Sequence, residues 1–164
     1  HLGASEYLYV MEDLVAGEPP SVDLLGERGL QHAVLEMIQH GLLHSAHDVS
    51  EGGLACALAE SALGSGESPL GIHVTLRDPL PALPLLFGEA QGRVVVSCEA
   101  RSVDEVLTLA KQHGVPGRAI GTVAPRDEGF RIDGRATTLE ADVEVMADLF
   151  FGAIPKLMDG AGPS

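Results

Sequence analysis

The sequence predicts an α/β fold in which a mixed sheet is covered by helices on both faces. Three observations carry that expectation. Between Leu43 and Val123, strand-like and helix-like stretches follow the order β-α-β-β-α-β, the split pattern of ferredoxin-like sheets. One helix-like stretch precedes this block and another follows it. The 164 residues are 45% hydrophobic but only 4% aromatic, so Ala, Leu, Val and Gly must fill the interior. A chain of this length can bury a core without disulfides or a structural metal.

Taken in order, residues 1–18 are a lead-in whose loose alternation over Glu6–Val15 leaves helix and strand both open. Gly17-Glu18-Pro19-Pro20-Ser21 is a break. Leu30, Val34, Met37 and Ile38 then recur at helical spacing, and that helix should end near Gly41. Leu42–Asp48 reads as a strand, and Leu54–Leu63 as a small-residue helix buried on most sides, closed by Gly64-Ser65-Gly66. Ile72–Leu76 alternates as a half-buried strand does.

Asp78–Gly92 carries three prolines and reads as a long connecting loop of the kind that serves sites. Arg93–Cys98 contains Val94-Val95-Val96, a β-branched run suited to a central strand. Ser102-Val103-Asp104-Glu105 has the spacing of a capping box opening a helix that Gly114 closes. Ala119–Ala124 is a short strand. Phe130–Ile132 and Ala136–Leu139 flank the turn signal Asp133-Gly134, and Val143, Met146, Ala147 and Phe150 mark a last helix. Residues 19–158 are thus expected to form one domain, with 159–164 as a frayed tail.

Charge and composition narrow the function. A formal net charge of −14 with ten scattered Lys and Arg residues argues against a nucleic-acid surface. No apolar run has the length of a membrane span. Cys56 and Cys98 lack CxxC spacing and are expected as buried, reduced thiols, which suits a cytoplasmic setting. The high apolar content suggests that some surface faces a partner domain. The start at His1, without an initiator Met, is expected of a segment within a longer polypeptide.

Ligand chemistry is written most compactly at Ser45-Ala46-His47-Asp48-Val49-Ser50-Glu51-Gly52-Gly53-Leu54. Strand, tight turn and helix N-terminus together present backbone N–H groups and a positive dipole end, which suit a phosphate. Asp48 could hold a hard cation sharing that phosphate, or could simply cap the turn. His47 is expected as an orienting hydrogen-bond partner and Glu51 as a first-turn carboxylate. His40 and His44 have i, i+4 spacing, but Gly41 breaks any helix between them. Glu89 and Arg93, in the second polar stretch, are placed to pair locally.

The ten-residue turn, with Ala57-Leu58-Ala59-Glu60 after it, resembles a motif of the phosphoribosylformylglycinamidine synthase family. Leu2-Gly3-Ala4-Ser5-Glu6-Tyr7-Leu8 and Phe87-Gly88-Glu89-Ala90-Gln91-Gly92-Arg93-Val94-Val95-Val96-Ser97 resemble it in the same order. The resemblance implies the C-terminal α/β domain of that enzyme's second repeat, with a three-layer α/β/α build. It implies ATP-dependent conversion of formylglycinamide ribonucleotide and glutamine-derived ammonia to formylglycinamidine ribonucleotide, ADP and phosphate, with Mg²⁺.

Residue by residue, the resemblance makes Asp48 the metal ligand and Gly52 and Gly53 the nucleotide-side glycines. It makes Glu89 and Gln91 ligand contacts, although Ala90 stands where the related first-repeat stretch has a serine. The implied partners are the other domains of the same enzyme, a ribonucleotide substrate, and a glutaminase subunit or domain that supplies ammonia. Alternatives are the C-terminal domain of an aminoimidazole ribonucleotide synthase-like protein and a non-catalytic packing module.

Overall fold

A computed structural model describes residues 2–158 and residue 160. The expected tail at 159–164 therefore lies, Gly160 apart, outside the described residues. The chain divides into two compact units. Unit 1 comprises the residues up to Leu58 together with Leu80–Ala119, and unit 2 comprises Ala59–Pro79 and the residues from Ile120 onward.

Unit 1 begins with α1 (Glu6–Glu12), which decides the lead-in in favour of helix. Ser5 caps it by accepting the Leu8 N–H, and Asp13 ends it in the left-handed conformation. The helix α2 (Leu24–Gln39) is capped by Asp23 and closed at Gly41. There the Gly41 N–H donates to the Ile38 carbonyl and the Leu42 N–H to the Met37 carbonyl, the paired bonds of a Schellman end.

The strand β1 (Leu43–Asp48) follows, and then the first turns of α3 (Gly53–Leu63), within which the chain passes from one unit to the other. No residue of α3 is exposed, as its small apolar composition predicts. The three-proline connection is not an open loop but contains α4 (Ala82–Phe87), whose Leu85 and Leu86 are buried. Pro84 is tolerated because it lies in the first turn, where backbone N–H groups have no helical acceptor.

The strand β3 (Val94–Cys98) pairs antiparallel with β1, with Asp48 opposite Val94. These two strands form a sheet of their own, so Val94–Val96 is half-buried rather than central. The helix α5 (Val103–Gln112) starts through a 3-10 turn at Ala100–Ser102, and Ser102 makes no side-chain cap, so the capping box is not formed.

The core of unit 1 joins Ala33 and Met37 of α2 to Val106, Leu109 and Ala110 of α5, with Val96 and Cys98 of β3 against them. His113 Nε2 lies 2.6 Å from Glu36 Oε2 where the two helices meet. Both cysteines are half-buried and unbridged, less enclosed than expected.

Unit 2 is built on a four-stranded mixed sheet. It contains β2 (Gly71–Thr75), β4 (Gly121–Ala124), β5 (Phe130–Asp133) and β6 (Thr138–Ala141) in the order β4-β2-β5-β6. The strand β2 runs antiparallel to β4 and parallel to β5, and β5 and β6 form the expected hairpin. At that hairpin the Arg131 guanidinium, followed by the Thr138 hydroxyl, holds the Asp133 carboxyl below the usual carboxylate range. Ile72, Val74, Phe130 and Ile132 are buried, and α6 (Val143–Met158) follows as the last helix.

The chain is therefore mixed α/β with helices and a mixed sheet, as expected, and the β-α-β-β-α-β order holds once α4 is set aside. The pairing differs from a single ferredoxin-like sheet, because β2 takes β4 and β5 as its partners. Glycines permit this tight pairing: a Cβ at Gly121 would lie 2.1 Å from the His73 carbonyl oxygen, and one at Gly71 2.4 Å from that of Pro125.

Met37 is 4% exposed at the centre of the α2–α5 contact, whereas the adjacent Ile38 is 54% exposed. Met37→Ala is expected to destabilise unit 1 by roughly 2–4 kcal/mol through the cavity it leaves. Ile38→Ala should cost less than about 0.5 kcal/mol. Urea midpoints of the two variants check the difference.

Candidate functional site

A cavity of about 670 Å³ lies in unit 1, where β1 runs out into the glycine turn. One wall is apolar and comes from the outer side of α2, through Leu30, Val34, Leu35 and Ile38. The helical stripe read from the sequence is thus shared out: Met37 faces the core, while Ile38 faces this cavity. Carboxylates line the rest, with Asp48, Glu51 and Glu89 outside α2 and Glu27 from the first turn of α2. Among the described residues that line it, Arg93 is the one cation.

Asp48 sits at the last position of β1 and is exposed. Its neighbours are fixed by backbone bonds: the Val49 N–H donates to the Arg93 carbonyl at 2.9 Å, and the Asp48 carbonyl lies 2.7 Å from His47 Nδ1. His47 is thus an orienting partner, as expected. Among the described residues no group of three or more His, Cys, Asp or Glu side chains is arranged to hold a metal. One carboxylate still suits a small hard cation such as Mg²⁺, which keeps several waters and takes few protein ligands beside phosphate oxygens.

The two glycines both adopt left-handed φ, +75° at Gly52 and +71° at Gly53. Close approach requires them as much as the turn does. A Cβ at Gly53 would stand 2.6 Å from the Phe87 carbonyl carbon, and one at Gly52 would stand 2.5 Å from Cys56 Sγ. Their N–H groups are engaged within the chain: Gly53 donates to the Ser50 carbonyl at 3.1 Å, and Gly52 donates to Glu89 Oε1 at 2.9 Å.

That same Glu89 oxygen accepts the Glu6 N–H at 2.9 Å, in the first turn of α1. Tyr7 and Phe87 stack with centroids 5.1 Å apart and reinforce the join. Arg93 is half-buried, and burial lowers its pKa from the ordinary guanidinium value. Its side chain is directed onto backbone carbonyls, with Nε donating to Ala90 at 3.3 Å and Nη2 to Gly88.

The structure therefore brings Asp48, Glu89 and Gln91 to one cavity beside the glycine turn. Gln91 lines it as an exposed residue. His40 and His44 do not form a helical pair, because α2 stops at Gln39 and His44 lies in β1, 3.2 Å from Glu99. Sequence reasoning missed the Glu6 amide and the carbonyl contacts of Arg93. Backbone donors and acceptors leave no side-chain signature, although the Leu2–Leu8 and Phe87–Ser97 stretches did mark both segments.

With this geometry in view, comparison with known proteins is decisive. The model of the AIR synthase related protein, C-terminal domain, matches residues 1–134. The chain belongs to this family. Phosphoribosylformylglycinamidine synthase subunit PurL of Caldanaerobacter subterraneus subsp. tengcongensis is 39% identical over 158 residues, and that of Moorella thermoacetica 43% over 157. Each match covers 96% of this chain and 21% of the relative, so the chain spans about a fifth of the length of the curated relatives it matches.

Among solved structures, T. maritima PurL complexed with FGAR is similar with a TM-score of 0.69 and 26% identity, over 85% of this chain and 24% of that one. T. maritima PurL complexed with ATP gives 0.67 and 27%, over 77% and 22%.

Gly53 and Gly41 separate steric from conformational need. Both have positive φ, but nothing lies within 4 Å of a Cβ built at Gly41. Gly41→Ala should cost about 1 kcal/mol, the left-handed strain alone. Gly53→Ala should cost roughly 2–4 kcal/mol, since the Phe87 backbone must also move. Chemical denaturation of the two variants side by side measures the gap.

Proposed function

We propose that this chain is the C-terminal-type domain of the second repeat of a phosphoribosylformylglycinamidine synthase, and that its glycine turn forms one wall of a Mg²⁺-nucleotide site. The observation that carries the proposal is the convergence of Asp48, Glu89 and Gln91 on one cavity, with the Gly52-Gly53 turn beside it and bonded to Glu89 through the Gly52 N–H. The similarity to relatives that bear the synthase name supports the same reading.

In the whole enzyme the reaction would proceed in two steps. The amide oxygen of formylglycinamide ribonucleotide attacks the γ-phosphorus of ATP, releasing ADP and leaving an O-phosphorylated imidate. Ammonia then adds to the imidate carbon, and inorganic phosphate departs to leave the amidine. Ammonia would come from a glutaminase partner, in a cytoplasmic enzyme whose remaining domains complete the site.

The part of this chain is positional and electrostatic. Asp48 would hold Mg²⁺ together with nucleotide phosphates; the ion, when bound, neutralises phosphate charge. Without it the carboxylates of Asp48, Glu51 and Glu89 would repel a polyphosphate. The α2 wall supplies an apolar surface that excludes water. Gly52 and Gly53 let the turn pack against Cys56 and the Phe87 backbone, where a side chain would intrude, and so set the turn beside the cavity; Gln91 offers an amide at the rim.

A reading as a pure packing module would leave Asp48 without a ligand role, and the test separates the two. In the whole enzyme, Asp48→Asn preserves size and removes the charge, and Mg-ADP retention should weaken by roughly tenfold to a hundredfold, the weight of one charge-assisted contact. Retention equal to wild type in equilibrium dialysis would sink the site assignment. The purified 164-residue chain alone, given ATP, Mg²⁺, ammonium and formylglycinamide ribonucleotide, should release no ADP above background. Sustained turnover by it would contradict a one-wall site.

A further inference from the structure

We infer that Arg93 is a positioning residue, one that sets the glycine turn by fixing Glu89 through the backbone on either side of it. The guanidinium donates to the carbonyls of Gly88 and Ala90, the two residues that flank Glu89 in the chain. The Arg93 carbonyl in turn accepts the Val49 N–H at 2.9 Å, which ties the same residue to the exit of β1. With both neighbouring peptides held, the Glu89 carboxylate has a defined origin. Its Oε1 reaches the amides of Gly52 and Glu6, each at 2.9 Å. One half-buried cation thereby determines where two backbone segments lie that it does not itself touch.

Charge alone does not explain the arrangement. Glu27, Asp48, Glu51 and Glu89 line the same cavity, and any cation would ease their mutual repulsion. The contacts instead use donors on two different nitrogens, Nε and Nη2, held apart in one plane; an ammonium has three donors, but all on a single nitrogen at the end of a flexible stem. Lysine at this position keeps the charge and loses the fork, so Arg93→Lys distinguishes geometry from electrostatics. The relevance of this device to nucleotide binding rests on the proposed function, whereas its effect on the amides does not.

The experiment is hydrogen exchange of individual backbone amides by NMR on the whole 164-residue chain, with no nucleotide present. Wild type, Glu89→Gln, Arg93→Ala and Arg93→Lys are compared, and the Leu109 amide of α5 serves as an internal reference for the fold. Glu89→Gln should speed exchange at both Gly52 and Glu6 by roughly tenfold, the loss of a charged acceptor. Arg93→Ala should speed the same two amides by a similar factor while Leu109 keeps its protection. Arg93→Lys should resemble Arg93→Ala rather than wild type.

Wild-type exchange at Gly52 and Glu6 in Arg93→Ala, or full rescue by Arg93→Lys, would overturn the inference. If Arg93→Ala loses Leu109 protection as well, Arg93→Lys alone decides. The outcome is independent of the Asp48→Asn dialysis: unchanged amides with weakened Mg-ADP retention would defeat the positioning role only, and the converse would defeat the nucleotide reading only.

Discussion

One carboxylate oxygen organises the cavity side of unit 1. Glu89 Oε1 accepts hydrogen bonds from Gly52 in the glycine turn and from Glu6 at the start of α1, two segments far apart in sequence. An ionised acceptor makes each bond stronger than a bond between neutral groups. Phe87, two residues earlier, closes on the Gly53 backbone and stacks on Tyr7. Lead-in, turn and loop are thereby one assembly, and the three stretches that resemble the synthase family are the three that meet here.

This arrangement changes the physical meaning of the glycine turn. A helix N-terminus with adjacent glycines is an attractive anion site in isolation, yet both glycine amides here already have acceptors within the chain. Among the described residues, four carboxylates and one guanidinium line the neighbouring cavity. A polyphosphate is compatible with that wall when a cation accompanies it and further positive groups approach from elsewhere. The net charge of −14 repeats the same point for the chain as a whole. The turn is a shelf beside an acidic cavity, and the proposed role for it is the support of a metal-bound nucleotide.

Much of this was legible in the sequence because it depends on local chemistry. The helical spacing of Leu30, Val34 and Met37 gave α2, Asp133-Gly134 gave the hairpin, and the glycine run gave the turn. What was not legible depends on pairing and backbone contact. The order β-α-β-β-α-β is the same whether β2 lies beside β3 or between β4 and β5; the observed pairing is one that the glycines at 71 and 121 permit by close backbone approach. The proline-rich connection concealed α4, because Pro84 breaks helix propensity in general but not in a first turn. Ser102 and Glu105 had capping-box spacing, but a 3-10 turn delivers the chain with Ser102 already in helical conformation, so its hydroxyl does not cap. Asp48 and Glu89 were expected as site residues and both line the cavity, whereas the partners that hold Glu89 in place are main-chain atoms without a sequence signature.

The central claim is that Asp48 faces a metal-bound nucleotide completed by protein beyond this chain. A crystal structure of the whole enzyme grown with Mn²⁺ and ADP tests it most directly, because manganese replaces magnesium and is located by its anomalous signal. The expected result is manganese bound to the Asp48 carboxylate and to ADP phosphate oxygens, with the glycine turn beside them and another domain closing the far side. Nucleotide and manganese bound elsewhere, with the Asp48 carboxylate touching only protein or solvent, would contradict it.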